Sequence, residues 1–340
     1  MWTELYLDRL LTAPSDALIN DLSKVKGDII ILGAGGKMGP TLSLLAKKAC
    51  VKGGLDKKII AVSRFSDPFA KTLLEENGVE MISMDLMEPK ALDSLPDVPN
   101  VIYMAGRKFG TSGQEYLTWA MNTWLPALVA ERYKGSNIVV FSSGNIYPMV
   151  SPRDGGTSEF TMPEPVGEYA MSTLGRERVF EYASVAYGTP VCLYRLNYAV
   201  DLRYGVLNDI AQNIINRKPV VITAPVFNCL WQGYANEIAL RCLTICDSPV
   251  NPLNVTGPET VSVKWAATEL GRHLGIEPVI EEPERANDKA LISNAAKMCE
   301  IFGFPSVSVN QLIRWQAEWL MAGGRILGKP THFEERKGNF

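Results

Sequence analysis

From Asp28 onward the chain alternates short apolar, β-branched runs with longer segments of helical spacing. The runs are DIIILG (28–33), KIIAVS (58–63), VEMISMD (79–85), NVIYMAG (100–106), NIVVFSS (137–143) and PVCLYRL (190–196). Between most of them lie segments such as PTLSLLAKKAC (40–50) and DPFAKTLLEENG (67–78), the second closing on Gly78. A strand that is apolar at successive positions is buried on both faces. Such strands alternating with helices predict a parallel sheet covered on both sides. The expectation is therefore an α/β protein, a Rossmann-type doubly wound parallel sheet, over residues 27–197.

The rhythm breaks after about Asn197. KPVVIT (218–223) and NPLNVTG (251–257) read as short strands around the helix ANEIALRCLTIC (235–246). One or two strands in the range 219–256 are expected to return to the main sheet. SVKWAATELGRHLG (262–275) and SVNQLIRWQAEWLMAGG (308–324) have helical periodicity, and the acidic EPVIEEPERANDK between them reads as a solvated loop. THFEERKGNF at the end is polar and expected to be loosely ordered. Residues 198–340 are thus expected to form mostly a smaller C-terminal substrate-binding lobe, capping the edge where open α/β sheets bind ligands. At the other end, residues 1–26 carry two helical patterns separated by Pro14. They read as an extension docked on the main domain, with a subunit contact as the alternative.

Composition narrows the function classes. The 340 residues are 46% hydrophobic and 21% charged, with a formal net charge of -3. That balance gives no support for a nucleic-acid partner or an anionic membrane surface. No run of 18 apolar residues occurs and the N-terminus lacks a signal-peptide core, so a cytoplasmic protein is expected. Six Cys without a CxxC pair and only two His argue against a metal site and fit a reducing compartment. Cys242 and Cys246, four apart in an apolar segment, read as core.

Candidate chemistry begins at ILGAGGKMGP. Gly33, Gly36 and Gly39 recur at three-residue spacing between the first strand and the first helix, with Gly35, Lys37 and Met38 inside the loop. Glycine lets the backbone turn tightly and approach a pyrophosphate, whose charge then sits at a helix N-terminus. Lys37 either adds charge near the phosphates or is simply solvated. The second strand ends in Ser63 and Arg64, with no acid to accept from a ribose 2′-OH, which favours NADP over NAD. Asp85, followed by Leu86, ends the third strand as a candidate for the adenine edge, with a capping role as the alternative.

Together with these, MAG (Met104, Ala105, Gly106), Asn122, SSGNIY (142–147), YAMST (169–173) and NVTGPETVSV (254–263) follow in a familiar order and spacing. The chain resembles the extended short-chain dehydrogenase/reductases, specifically the NAD-dependent epimerase/dehydratase family, over roughly residues 28–270. The resemblance implies a nicotinamide cofactor, a sugar-like substrate that is often nucleotide-linked, and a homodimer packed through segments 115–133 and 169–187. It assigns Ser143 to polarising the reacting oxygen, Tyr169 to general acid/base chemistry, Asn122 to the family's helix asparagine, and Lys108 to a position beside the cofactor.

The departures bear on catalysis. Where the family has YxxxK, this chain has Thr173. The family's Lys bonds the nicotinamide ribose and lowers the tyrosine pKa by its charge; Thr does the first in part and the second not at all. An ordinary phenol, with pKa near 10, is ionised at about one part in a thousand at neutral pH. Lys108, or Lys37, would have to supply the charge. Tyr198, Asp201 and Asn236 also depart from the usual substrate-end residues. The expected function is an NAD(P)-dependent epimerase, dehydratase or reductase acting on a sugar-derived secondary alcohol or ketone. The alternative is a catalytically impaired dinucleotide-binding sensor or scaffold.

Overall fold

The computed structural model of the chain describes residues 2–108, 113–283, 288–328, 331 and 333. The central layer is a seven-stranded sheet. Its strands are β1 (Ile29–Leu32), β2 (Ile59–Ser63), β3 (Glu80–Ser83), β4 (Asn100–Tyr103), β5 (Asn137–Ser143), β6 (Val191–Leu196) and β7 (Asn251–Val255). Their order in space is β7-β6-β5-β4-β1-β2-β3, and every pairing is parallel. The order reverses between β1 and β4, which opens a crevice over their C-terminal ends.

The two-residue period of a strand explains the layering. In β1, Ile29 and Ile31 join one core with Leu42 and Ala46 of the helix Gly39–Gly53 and Ile238 of the helix Gln232–Arg241. Ile30 and Leu32 join the other, with Leu125, Val129 and Phe180. All four β1 side chains have no exposed surface, so each stabilises the fold by about 1.5–3 kcal/mol. Helix 115–132 carries a π-helical turn, Ala120–Trp124, and packs beside the helix Gly167–Tyr187.

The helices Glu4–Leu11 and Asp16–Lys24 are each capped by a hydroxyl, Thr3 and Ser15. Leu18 and Leu22 pack on the sheet layer, whereas Leu7 and Leu11 enter the core of the C-terminal lobe with Ile210, Leu270 and Leu312. Arg203 fixes the first helix by pairing with Glu4 and Asp8 at 3.0 Å each. Of the two late strand patterns, only NPLNVTG reaches the main sheet, as β7. KPVVIT does not. Its Val220–Val221 pairs instead with Ile280–Glu281, because the intervening helix Val206–Ile215 and the lobe core carry it away from the sheet edge. The helix expected at 235–246 starts earlier, at Gln232, and ends at Arg241, giving way to a short 3-10 turn. Cys242 is core, and Cys246 is half-buried beside it. The acidic loop is described only in part, and THFEERKGNF falls almost entirely outside the described residues. Among the described residues no helix is long and apolar enough to cross a membrane, and no group of ligands could hold a metal ion.

Candidate functional site

A cleft of about 610 Å³ lies over the C-terminal ends of β1 to β4. Gly33, Gly35 and Gly36 form one wall. Gly33 has φ +93, and a Cβ there would sit 2.5 Å from the Ala105 nitrogen, so only glycine lets the loop lie against the β4 exit. At Gly39 a Cβ would collide with Ala34, which fixes the close approach of helix to strand. At Gly36, by contrast, a Cβ would meet nothing nearer than the Gly33 oxygen at 3.7 Å. The loop therefore leaves room above it. The helix Gly39–Gly53 follows without a side-chain cap at Met38, leaving backbone N–H groups for an anion. This cradle fits the pyrophosphate of a dinucleotide.

Next to this loop the cleft is lined by Ser63, Arg64, Asp85 and Leu86, and a Cβ at Gly35 would meet Ser63 Oγ at 2.4 Å. The Arg64 guanidinium is 3.6 Å from the Asp85 carboxylate, with both side chains substantially exposed. Asp85 also accepts from the Met87 N–H at 3.0 Å, so it closes the turn after β3 while facing the cleft. Met104, Ala105 and Gly106 line the cleft at the β4 exit, beside Gly33. Lys37, Met38, Gly39, Asn122, Ser143, Tyr169, Thr173 and Lys108 do not line this cleft. Lys37 instead lines a smaller neighbouring hollow of about 120 Å³ with Asp201 and Arg203, and its ammonium lies 4.7 Å from the Tyr204 ring centroid.

Asn122 sits in the π-helical turn with no exposed surface. Its Nδ2 donates to the Arg107 carbonyl at 2.9 Å and to Ser172 Oγ at 3.0 Å. Its Oδ1 accepts from the Arg107 N–H at 2.8 Å and from Arg176 Nη2 at 2.8 Å. Asn122 thus clamps the main chain leaving β4 and reaches the cleft only through it. A π turn shifts the helix by one residue, which re-aims a side chain in this way.

Ser143 ends β5. Its Oγ accepts from the Asn145 N–H at 3.1 Å and donates to Asn145 Oδ1 at 3.2 Å, capping the turn Gly144–Ile146. That turn packs against the helix Gly167–Tyr187, whose third residue is Tyr169. Beneath them Arg195 donates to both oxygens of Glu177, at 3.0 and 2.8 Å, and to the Tyr147 hydroxyl at 2.6 Å. Ser142 Oγ donates to the same carboxylate. The exits of β5 and β6 are therefore tied to the Tyr169 helix by a buried ion pair.

The Lys108 ammonium lies 5.4 Å from the centroid of the Tyr169 ring. Burial, and secondarily the charge of Lys37, pull the Lys108 pKa down to about 8. Thr173 has no exposed surface, and its Oγ1 has no hydrogen-bond partner. Tyr198 adopts φ +43, a conformation in which Asn is more at ease. Asp201 is buried in an ion pair with Arg203 at 2.8 Å.

Sequence reasoning overlooked Ser66, Met84, Met87, Arg107, Leu117 and Met121 in the cleft lining, and Arg176, which holds Asn122. Arg176 follows Tyr169 by seven residues, two helical turns, so its place on the same face was readable from the spacing.

The model of the NAD dependent epimerase/dehydratase family matches residues 29–220. No curated protein matches the chain. Among solved structures, a UDP-glucuronic acid 4-epimerase from Bacillus cereus in complex with NAD is similar at 15% identity and TM-score 0.70, covering 87% of this chain and 99% of that one. The UDP-Glc/GlcNAc 4-epimerase from Campylobacter jejuni is similar at 18% identity and TM-score 0.70, covering 87% and 100%. Pal from Bacillus thuringiensis is similar at 16% identity and TM-score 0.71, covering 87% and 99%.

Proposed function

The chain belongs to the NAD dependent epimerase/dehydratase family, and from that premise we propose that it is an enzyme exchanging hydride with a secondary alcohol of a sugar, most simply a nucleotide-linked one. The observation that carries this reading is the Lys108 ammonium over the Tyr169 ring, where the family's own lysine is missing. Tyr169 and Ser143 would hold the reacting oxygen and pass its proton, while the nicotinamide would accept and return the hydride. Lys108 thereby brings beside the Tyr169 ring a positive charge that Thr173 cannot carry. Nucleotide linkage rests on the similar structures, two of which are UDP-sugar 4-epimerases.

NAD is the proposed cofactor. The Asp85 carboxylate, 3.6 Å from the Arg64 guanidinium, would repel a 2′-phosphate placed there. The family is described as NAD dependent, and the Bacillus cereus epimerase was crystallised with NAD. NADP is a second reading, favoured by Ser63 and Arg64 lining the same end of the cleft. A cofactor sensor without turnover is favoured by one observation, the buried and unpartnered Thr173 hydroxyl.

The test is to incubate the protein and NAD with a panel of nucleotide sugars and to follow epimers or dehydrated products by NMR. Turnover that falls at least about a hundredfold in Tyr169→Phe would support the enzyme. Dinucleotide binding with no product from any sugar in the panel would favour the sensor.

A further inference from the structure

Besides Lys108, a second buried cation stands at the base of this site, Arg176. Its side chain is 5% exposed, and among the described residues no carboxylate pairs with it. The neighbouring Glu177 is fully committed to Arg195 and Ser142. Arg176 is held by neutral oxygens and lies 5.6 Å from the centroid of the Tyr103 ring. It donates from Nη1 to the Phe141 carbonyl at 2.7 Å, from Nη2 to Asn122 Oδ1 at 2.8 Å, and from Nε to the Asn122 carbonyl at 3.4 Å. A guanidinium always keeps its charge, and burying it without an anion is costly, so its persistence here calls for a function.

Its placement supplies one. Side chains on a helix lean toward its N-terminus, so Arg176 reaches back along the face that carries Thr173 and Tyr169. The guanidinium arrives directly behind Gly106, where a Cβ would be 2.4 Å from Nη2. Gly106 is in the wall of the cofactor cleft. The fork therefore spans the exits of β4 and β5 at the base of the site, and it orients the asparagine that clamps Arg107.

We propose that Arg176 is a positioning residue that places, from the next turn of the same helix, the fixed positive charge that Thr173 does not provide, and that this charge acts through the Gly106 wall on the nicotinamide end of the dinucleotide. This rests on the dinucleotide reading of the cleft. The oxidised nicotinamide ring carries a positive charge that the reduced ring lacks. A fixed cation behind the wall disfavours the oxidised form relative to the reduced form. It leaves the adenosine diphosphate ribose portion untouched.

The test is fluorescence or calorimetric titration of the full chain with oxidised dinucleotide, reduced dinucleotide and ADP-ribose. Arg176→Met removes the charge and keeps much of the volume; Arg176→Gln serves if the methionine variant does not fold, as judged by circular dichroism. The expected result is a shift of the reduced-to-oxidised affinity ratio toward the oxidised form by about tenfold. Arg176→Lys should stay within about threefold of wild type, and ADP-ribose affinity within about twofold in every variant. A merely structural role would weaken all three ligands together. A folded neutral variant with an unchanged ratio, or with uniform loss, overturns the proposal while leaving the dinucleotide site standing. Wild-type protein that binds none of the three overturns the cofactor reading and this proposal with it.

Discussion

Replacing Glu177 by Gln keeps the side-chain volume and removes one charge from the buried pair beneath Ser143 and Tyr169. In the native protein Arg195 is 6% exposed and Glu177 0% at the side chain. Arg195 donates twice to Glu177, and burial of the neighbouring Tyr147 hydroxyl pushes its pKa up to about 12, so it gives Arg195 no anion in its place. The substituted amide could accept one of those bonds, but it would leave a guanidinium buried without a counter-charge. Breaking a buried pair by removing one partner costs about 3–5 kcal/mol. Unfolding entropy of about 2.1 cal/mol/K per residue, over the 340 residues of the chain, converts that cost into a fall of about 4–7 °C in Tm. Calorimetry of Glu177→Gln, Arg195→Leu and the double variant Glu177→Leu/Arg195→Leu would check it. The double variant should be less damaged than either single one, since removing both charges also removes their desolvation cost. A fall below about 2 °C for Glu177→Gln, or strictly additive losses, would refute the claim that this pair fixes the β5 and β6 exits to the Tyr169 helix.

Three further outcomes are expected. Asp85→Asn should release Arg64 and raise NADP affinity relative to NAD by about tenfold in calorimetry; a wild-type protein that already prefers NADP by that margin would restore the 2′-phosphate reading. Because the Lys108 pKa is drawn down to about 8, its ammonium is present below that pH and lost above it. Turnover dependent on that cation should therefore fall as pH rises through about 8, and Lys37→Met should move the fall to higher pH by removing repulsion; a fall at the same pH in that variant would refute the coupling. Finally, Trp124 at 52%, Tyr182 at 64% and Val185 at 77% exposure leave an apolar face on helices 115–132 and 167–187. The proposed homodimer would use that face, and Val185→Glu should convert a dimeric mass in light scattering to a monomeric one; a wild-type monomer at micromolar concentration would refute it.

Local sequence was sufficient wherever the signal was short-ranged. β1 and β2 are continuous apolar runs because both sheet faces are covered, so their hydrophobicity announced them and the doubly wound fold. The glycine spacing announced the cradle, since Gly33 and Gly39 answer steric demands at the mouth of the first strand and helix. Tyr169 and Ser143 are proposed on a different ground, as matches to a known motif. What sequence did not decide were relations between distant segments. KPVVIT has the composition of a sheet strand, and only the packing of the lobe assigned it to Ile280–Glu281. Asn122 turned inward to Arg107 because of a π turn that no residue pattern marks. The absence of the motif lysine is visible at position 173, but its consequences are not. Lys108 comes from the β4 exit and Arg176 from the next turn of the helix, and burial sets what each charge is worth. Hydrogen bonds and desolvation at the base of the cleft depend on which chain segments the fold brings there, and that is a property of the tertiary structure alone.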